Sequence, residues 1–194
     1  MTSRGPYAKG IAKREDILTA ALGVIARNGY RRSSVRELAD AVGLSQAGLL
    51  HNFSSKEELF QEILRKRDDV DTSAFFSEVG FLEGFLGIVR RNAEVPGLVQ
   101  LFAQLSTAAA GDRGHPSRDF FVRRYEETRR GAAELLRREQ DAGRLDPHID
   151  PDVTASLLLA ALDGLQTQWM LDPSIDMPKR ISYLWDLITR GPQA

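Results

Sequence analysis

The sequence predicts an all-α protein of about nine helices. Apolar residues recur at spacings of three and four along most of its 194 residues. The periodic stretches stop at glycine, asparagine or proline signals, as helices do. No stretch alternates with the period of two that a half-buried strand needs.

Ile17, Leu18, Ala21, Leu22 and Ile25 form the first apolar stripe, which stops at Asn28-Gly29. Val35, Leu38, Ala39 and Val42 form the second, opened by the capping-box pattern Ser34-x-x-Glu37 and closed at Gly43. A short third helix begins at Ser45. The pattern Ser55-x-x-Glu58 opens a fourth, with Leu59, Phe60, Ile63 and Leu64 on one face. Between residues 71 and 95, Phe75, Phe76, Phe81, Phe85 and Ile88 suggest helix, against the weakening effect of Gly80, Gly84 and Gly87. Pro96 is expected to open the next helix, through Leu98, Phe102 and Leu105 to about Gly111. After the loop 111–117 a long helix carries Phe121, Tyr125, Thr128, Ala132 and Leu135, and ends at Gly143. Asp150-Pro151 caps a helix running to about Leu171, and Ile181, Leu184, Trp185 and Ile188 mark the last one.

The net charge of −1 hides an asymmetry. Residues 1–56 hold nine Lys/Arg against four Asp/Glu, and residues 57–194 hold seventeen against twenty-three. A basic segment on an acidic body points to an anionic partner at one end. There is no cysteine, which removes disulfides and thiolate chemistry and fits a cytoplasmic protein. The polar, basic N-terminus has no apolar signal-peptide core, and the longest apolar run, Leu157 to Leu162, is far short of a membrane span.

The stretch GLSQAGLLHNFSSKEEL, Gly43 to Leu59, poses the functional question. Gly43-x-Ser45-x-Ala47 is one residue away from a hydrolase nucleophile elbow. That motif needs a strand before its serine, and Val35 to Val42 is helix-periodic, so no catalytic residue is assigned. The other reading is helix–turn–helix. Leu44, Leu49 and Phe53 then face inward, and Gln46, Ala47, Leu50 and His51 share the outward face. Gln46 offers the paired donor and acceptor that matches an adenine edge, and Ala47 or Leu50 can touch a thymine methyl. Ala47 and Gly48 let a helix backbone approach a duplex closely. Ser55 and Lys56 offer backbone amides and a cation to a phosphate.

Residues Arg14–Leu64 resemble the N-terminal domain of the TetR/AcrR family of one-component repressors. The landmarks are Ile17-Leu18, Ala20-Ala21, Gly29-Tyr30, Ser34, Leu38-Ala39, Gly43-Leu44-Ser45, Gly48, Leu49, Phe53 and Ser55-Lys56-Glu57-Glu58-Leu59, in order over about fifty residues. The resemblance implies a helix–turn–helix DNA-binding domain at 1–56 and a ligand-sensing and dimerisation domain at 57–194. It implies a repressor that binds a near-palindromic operator in double-stranded DNA as a homodimer and is released by a small-molecule effector. The expected DNA-facing set is Ser34, Arg36, Ser45, Gln46, Ala47, Gly48, Leu50, His51, Asn52, Ser55 and Lys56. One departure stands out. Where the family usually has a tyrosine whose hydroxyl binds phosphate, this chain has Leu50, read equally as a base contact or as a leucine resting on the neighbouring helix. Gly143–Pro173 looks like the later helices of regulators with a choline-regulator-like C-terminal domain.

Phe102, Leu105, Phe121, Tyr125, Thr128, Leu162, Gln166 and Trp169 are the candidate effector-binding residues, with plain core packing as the alternative for each. Gln104 can add a further polar contact. Leu157 to Leu162 is apolar around most of its helix, which suits burial against both its own core and a partner subunit. Leu157, Leu158, Ala161, Leu165, Ile181, Leu184, Trp185 and Ile188 are therefore the candidate dimer contacts, the family's final two helices meeting their copies in a four-helix interface. His51, His115 and His148 are scattered, so no metal or cofactor is expected. The alternative from another class is an all-α small-molecule-binding or enzymatic protein with no DNA role, and the basic first 56 residues argue against it.

Overall fold

The computed structural model describes the backbone of residues 6–30, 32–75 and 80–190, and side chains within 13–30, 32–68 and 80–190. Phe76 and the first five residues of the basic N-terminus lie outside the described residues. Among the described residues there are nine helices and no strand. They are α1 (Pro6–Asn28), α2 (Val35–Ala41), α3 (Gln46–Asn52), α4 (Lys56–Phe75), α5 (Phe81–Glu94), α6 (Leu98–Gly111), α7 (Arg118–Asp141), α8 (Pro151–Leu171) and α9 (Met177–Arg190). No helix described is long and apolar enough to cross a membrane.

The chain forms two compact units, one from residues 1–68 and 95–117, the other from 69–94 and 118–194. In the first, α1 packs on α2 and on α6, and α2 packs on α3. Ile17, Leu18, Ala21, Val24 and Ile25 of α1 are buried, as the periodicity predicts. Ser34 caps α2 in a full capping box with Glu37, and Ser45 caps α3 by accepting the Gly48 amide. The turn between them is a Schellman motif: Gly43 has φ 64°, its N–H donates to the Asp40 carbonyl, and that of Leu44 donates to Ala39.

Two expectations need correction here. α6 starts at Leu98, not Pro96, because Gly97 takes the N-cap in a left-handed conformation that proline cannot adopt, φ 80°. The second capping box is only half built. Ser55 Oγ accepts the Glu58 amide at 3.0 Å, but the Glu58 carboxylate turns to the amide and hydroxyl of Ser54 instead of closing on Ser55.

Gly97 also seats α6 on α1. A Cβ there would fall 2.7 Å from the Leu22 carbonyl oxygen and 2.8 Å from the Ala26 nitrogen. Only glycine permits the two backbones so near each other there.

The second unit is built on α5, α7, α8 and α9. Phe81, Phe85, Leu86, Val89, Leu136, Leu145, Leu158, Leu162, Met177 and Ile181 form one buried cluster. The Phe81 ring stacks on Trp185 at 5.3 Å. This burial keeps α5 helical through Gly84 and Gly87, since each interior glycine costs only about 1 kcal/mol against alanine. Asp150 caps α8 by accepting the Asp152 and Val153 amides, with Pro151 at the first helical position. Gly143 ends α7 in a second Schellman motif, with Gly143 donating to Gln140 and Arg144 to Glu139.

Candidate nucleic-acid interface

The face of α3 is sorted by burial. Leu49 and the C-cap Phe53 are buried, while Gln46, Ala47, Leu50 and His51 are exposed. Leu50 keeps 43% of its surface in solvent. Gly48 sits under the Ser45 cap, its N–H 3.0 Å from Ser45 Oγ, and a Cβ there would come within 3.2 Å of that oxygen. Asn52 is spent locally, its Nδ2 donating to the Gly48 carbonyl at 2.8 Å. What α3 leaves outward is one amide, one small side chain, one leucine and one imidazole on two turns. That is a surface suited to reading a base edge rather than to making a bond.

The flanks supply charge and rigidity. Arg36 is exposed on α2, 3.9 Å from Asp40. Ser34 is committed to its cap: its hydroxyl and amide both donate to the Glu37 carboxylate. These bonds, the amide's first, hold the Glu37 carboxyl below the usual carboxylate range. Hydrogen bonds from Ser54, the hydroxyl's first, do the same for Glu58. Lys56, the first residue of α4, holds its Nζ 4.9 Å from the centre of the Tyr30 ring and 5.8 Å from that of Phe60. Tyr30 and Phe60 meet edge to face at 5.4 Å.

Arg14 was not among the expected site residues. Its guanidinium lies 4.5 Å from the Phe53 ring centre, donates to the Asn52 carbonyl at 3.3 Å, and is 3.4 Å from Glu62. It ties α1 to the end of α3 and to α4. Nothing in its local sequence distinguishes it from the other basic residues near the N-terminus.

The candidate effector residues fall in both units. Phe102 and Leu105 are buried in the first. Phe121, Tyr125, Thr128, Leu162, Gln166 and Trp169 belong to the second. There Tyr125 donates its hydroxyl to Asp163 at 2.6 Å, and Thr128 bonds back to the Arg124 carbonyl. Gln166 is buried, and its Oε1 has no hydrogen-bond partner among the described residues. Gln104 is exposed and is engaged elsewhere, accepting the Tyr30 amide.

The candidate dimer contacts divide sharply. Leu158 and Ile181 are fully buried in their own subunit and have no surface left for a partner. Ala161, Leu165, Leu184, Trp185 and Ile188 are half-buried against the same core, and Leu157 is 54% exposed. Val153, Leu171, Tyr183 and Leu187, which the apolar stripes did not single out, are exposed too. Five of the seven large apolar side chains exposed among the described residues thus lie on α8 and α9. The imidazoles stay apart: His115 Nδ1 accepts the Ser117 amide, and His148 lies 3.0 Å from Asp146.

Comparison with known proteins bears on both halves. Residues 17–63 match the family described as bacterial regulatory proteins, tetR family, and residues 97–183 match the BetI-type transcriptional repressor C-terminal domain. An HTH-type transcriptional repressor of Mycobacterium tuberculosis is 29% identical over 180 residues, covering 91% of each chain. The repressor AcnR of Corynebacterium diphtheriae is 28% identical over 185 residues, covering 93% of each. The solved structure of a transcriptional regulator from Saccharomonospora viridis in complex with choline superposes with a TM-score of 0.71 and 25% identity, over 92% of this chain and 96% of that one.

Proposed function

The chain belongs to the TetR family of bacterial regulatory proteins, as a ligand-responsive DNA-binding repressor, and from that premise we propose how its residues divide the work. DNA reading resides in residues 1–56, and effector sensing and dimerisation in 57–194. The protein works in the cytoplasm, by binding rather than by catalysis. The α3 face enters the major groove. Gln46 contacts an adenine edge, and Ala47, Leu50 and His51 line the same approach. Ser55 and Lys56 engage phosphate, and Arg36 adds charge at the rim. The observation that carries this reading is the split of α3, with Leu49 buried and Gln46, Ala47, Leu50 and His51 all open.

The test is binding to duplex DNA from upstream of the protein's own coding sequence, across a range of salt. Gln46→Ala is expected to relax preference at one base pair by roughly 1–3 kcal/mol. Lys56→Ala is expected to weaken binding to all sequences alike and to flatten the salt slope by about 0.9, one phosphate's worth. If both variants bind as the parent does, the assignment of α3 is wrong.

Leu50 has its own expected result. Its exposure favours the base-contact reading, so Leu50→Ala should lower sequence preference and leave the salt slope alone. Leu50→Tyr should tighten binding by adding the missing phosphate contact. A variant that only melts earlier, with base preference intact, assigns Leu50 to the scaffold.

The effector is a small, largely apolar molecule held in the second unit beside Phe121, Tyr125 and Trp169. The buried, unpartnered Oε1 of Gln166 supports this, because such an oxygen is costly unless a donor reaches it. The effector releases DNA to the extent that it binds the non-operator conformation better. The choline bound in the Saccharomonospora viridis structure makes quaternary ammonium compounds a reasonable first set to screen by tryptophan fluorescence.

A further inference from the structure

Among the described residues three glycines close helices in the left-handed conformation, and one of the three closes its helix differently. After Gly43 and Gly143, the next residue donates its N–H back into the helix just ended, Leu44 to Ala39 and Arg144 to Glu139. After Gly29, φ 75°, it does not. Gly29 itself donates to the Ile25 carbonyl at 2.8 Å, the simpler one-bond cap, which leaves the Tyr30 N–H outside its own helix. That N–H is given to Gln104 Oε1, at 3.1 Å and seventy-four residues away on α6. The bond is part-buried, so losing its acceptor would weaken this turn.

The side chain of Tyr30 carries the consequence onward. Its ring packs edge-on against Phe60 and lies beneath the Lys56 ammonium. We propose that Gln104 is a positioning residue for DNA binding: by accepting the Tyr30 amide it fixes the aromatic seat that holds Lys56 in place for a phosphate. The inference rests on the reading of Lys56 as a phosphate contact. An ammonium held by a ring face keeps its charge and gives up little freedom on reaching a phosphate. Gln104 is exposed on α6, outside the proposed DNA-facing set. Its effect passes through one peptide group and one ring.

A double-mutant cycle tests this, with salt-dependent binding to a random-sequence duplex as the readout. The proteins are the parent, Lys56→Ala, Gln104→Met and the double variant, with melting temperature measured for each. Methionine keeps the length of glutamine and removes the acceptor. Gln104→Met is expected to lower the salt slope when Lys56 is present and to change nothing further when it is absent. Gln104→Glu, which keeps an acceptor oxygen in place, should retain the parent slope. Additive losses in the double variant, or a parent-like slope in Gln104→Met with only an earlier melt, would overturn the positioning role while leaving Lys56 at its phosphate. A parent-like slope in Lys56→Ala would overturn the phosphate reading itself, and this inference with it.

Discussion

Gly97→Ala is expected to lower the melting temperature by roughly 4–20 °C, at 2–4 °C per kcal/mol for a chain of this size. Two costs combine. A Cβ in the left-handed region costs about 1–2 kcal/mol. The same atom would meet the Leu22 carbonyl and the Ala26 amide at under 3 Å, and neither is a flexible side-chain end that can swing away. Helix α6 would have to lift off α1, and such overpacking costs about 1–3 kcal/mol. Gly143→Ala is the control. Its φ of 71° carries the same backbone strain, but its Cβ would meet nothing within 4 Å. It should lose only about 1–2 kcal/mol, or roughly 2–8 °C. Thermal melts of the two variants side by side separate close approach from backbone conformation. Equal losses would mean that the α1–α6 contact adds nothing.

Leu157→Glu with Leu187→Glu should convert a dimer to monomers and reduce affinity for a two-half-site operator by about 10²- to 10⁴-fold, the advantage of linked binding. Both side chains are 54% exposed, so the subunit should fold normally with glutamate in their place. Across a two-fold axis each carboxylate is expected to face apolar surface or its own copy. The operator effect follows from geometry, since two recognition helices about one DNA turn apart, roughly 34–36 Å, must act together on a near-palindromic site. Leu158→Glu should fail differently, by unfolding, because Leu158 is buried in its own core. Sedimentation at micromolar concentration decides the matter. A parent protein that runs as a monomer, or a double variant that stays dimeric, sinks the proposed interface.

Much of this architecture was legible because helix ends are written in local chemistry. Asn28-Gly29, Gly43 and Asp150-Pro151 are stop and start signals that act within one turn, and the structure ends or starts helices at each. The outward face of α3 was legible for the same reason, since periodicity around Leu49 decides which neighbours are left in solvent. What did not show was anything that depends on a second helix. Pro96 looked like a helix opener because proline suits a first turn, and only the approach of α1 reveals why Gly97 takes the cap instead. A helix that is apolar all round, such as Leu157 to Leu162, does not say which side turns inward, so Leu158 and Leu157 looked equivalent and prove opposite. Gln104 could not be distinguished by its surroundings in sequence. Its partner lies seventy-four residues away and is a backbone amide, which carries no side-chain signature.

The first compact unit is assembled from two separate stretches of chain, 1–68 and 95–117. The proposed DNA-reading surface is therefore not a cassette. A chimera made by transplanting residues 1–56 onto another regulator's body would inherit Gln46 and Lys56 but lose Gly97 and Gln104, which lie beyond the splice. Its α1 would pack on a foreign α6 whose fit to Leu22, Ala26 and the Tyr30 amide was never selected. For the same reason, recombination among relatives can exchange operator preference cleanly only when α6 travels with the first four helices or already matches them. Inheritance of binding specificity in this architecture is thus tied to a segment outside the proposed reading face.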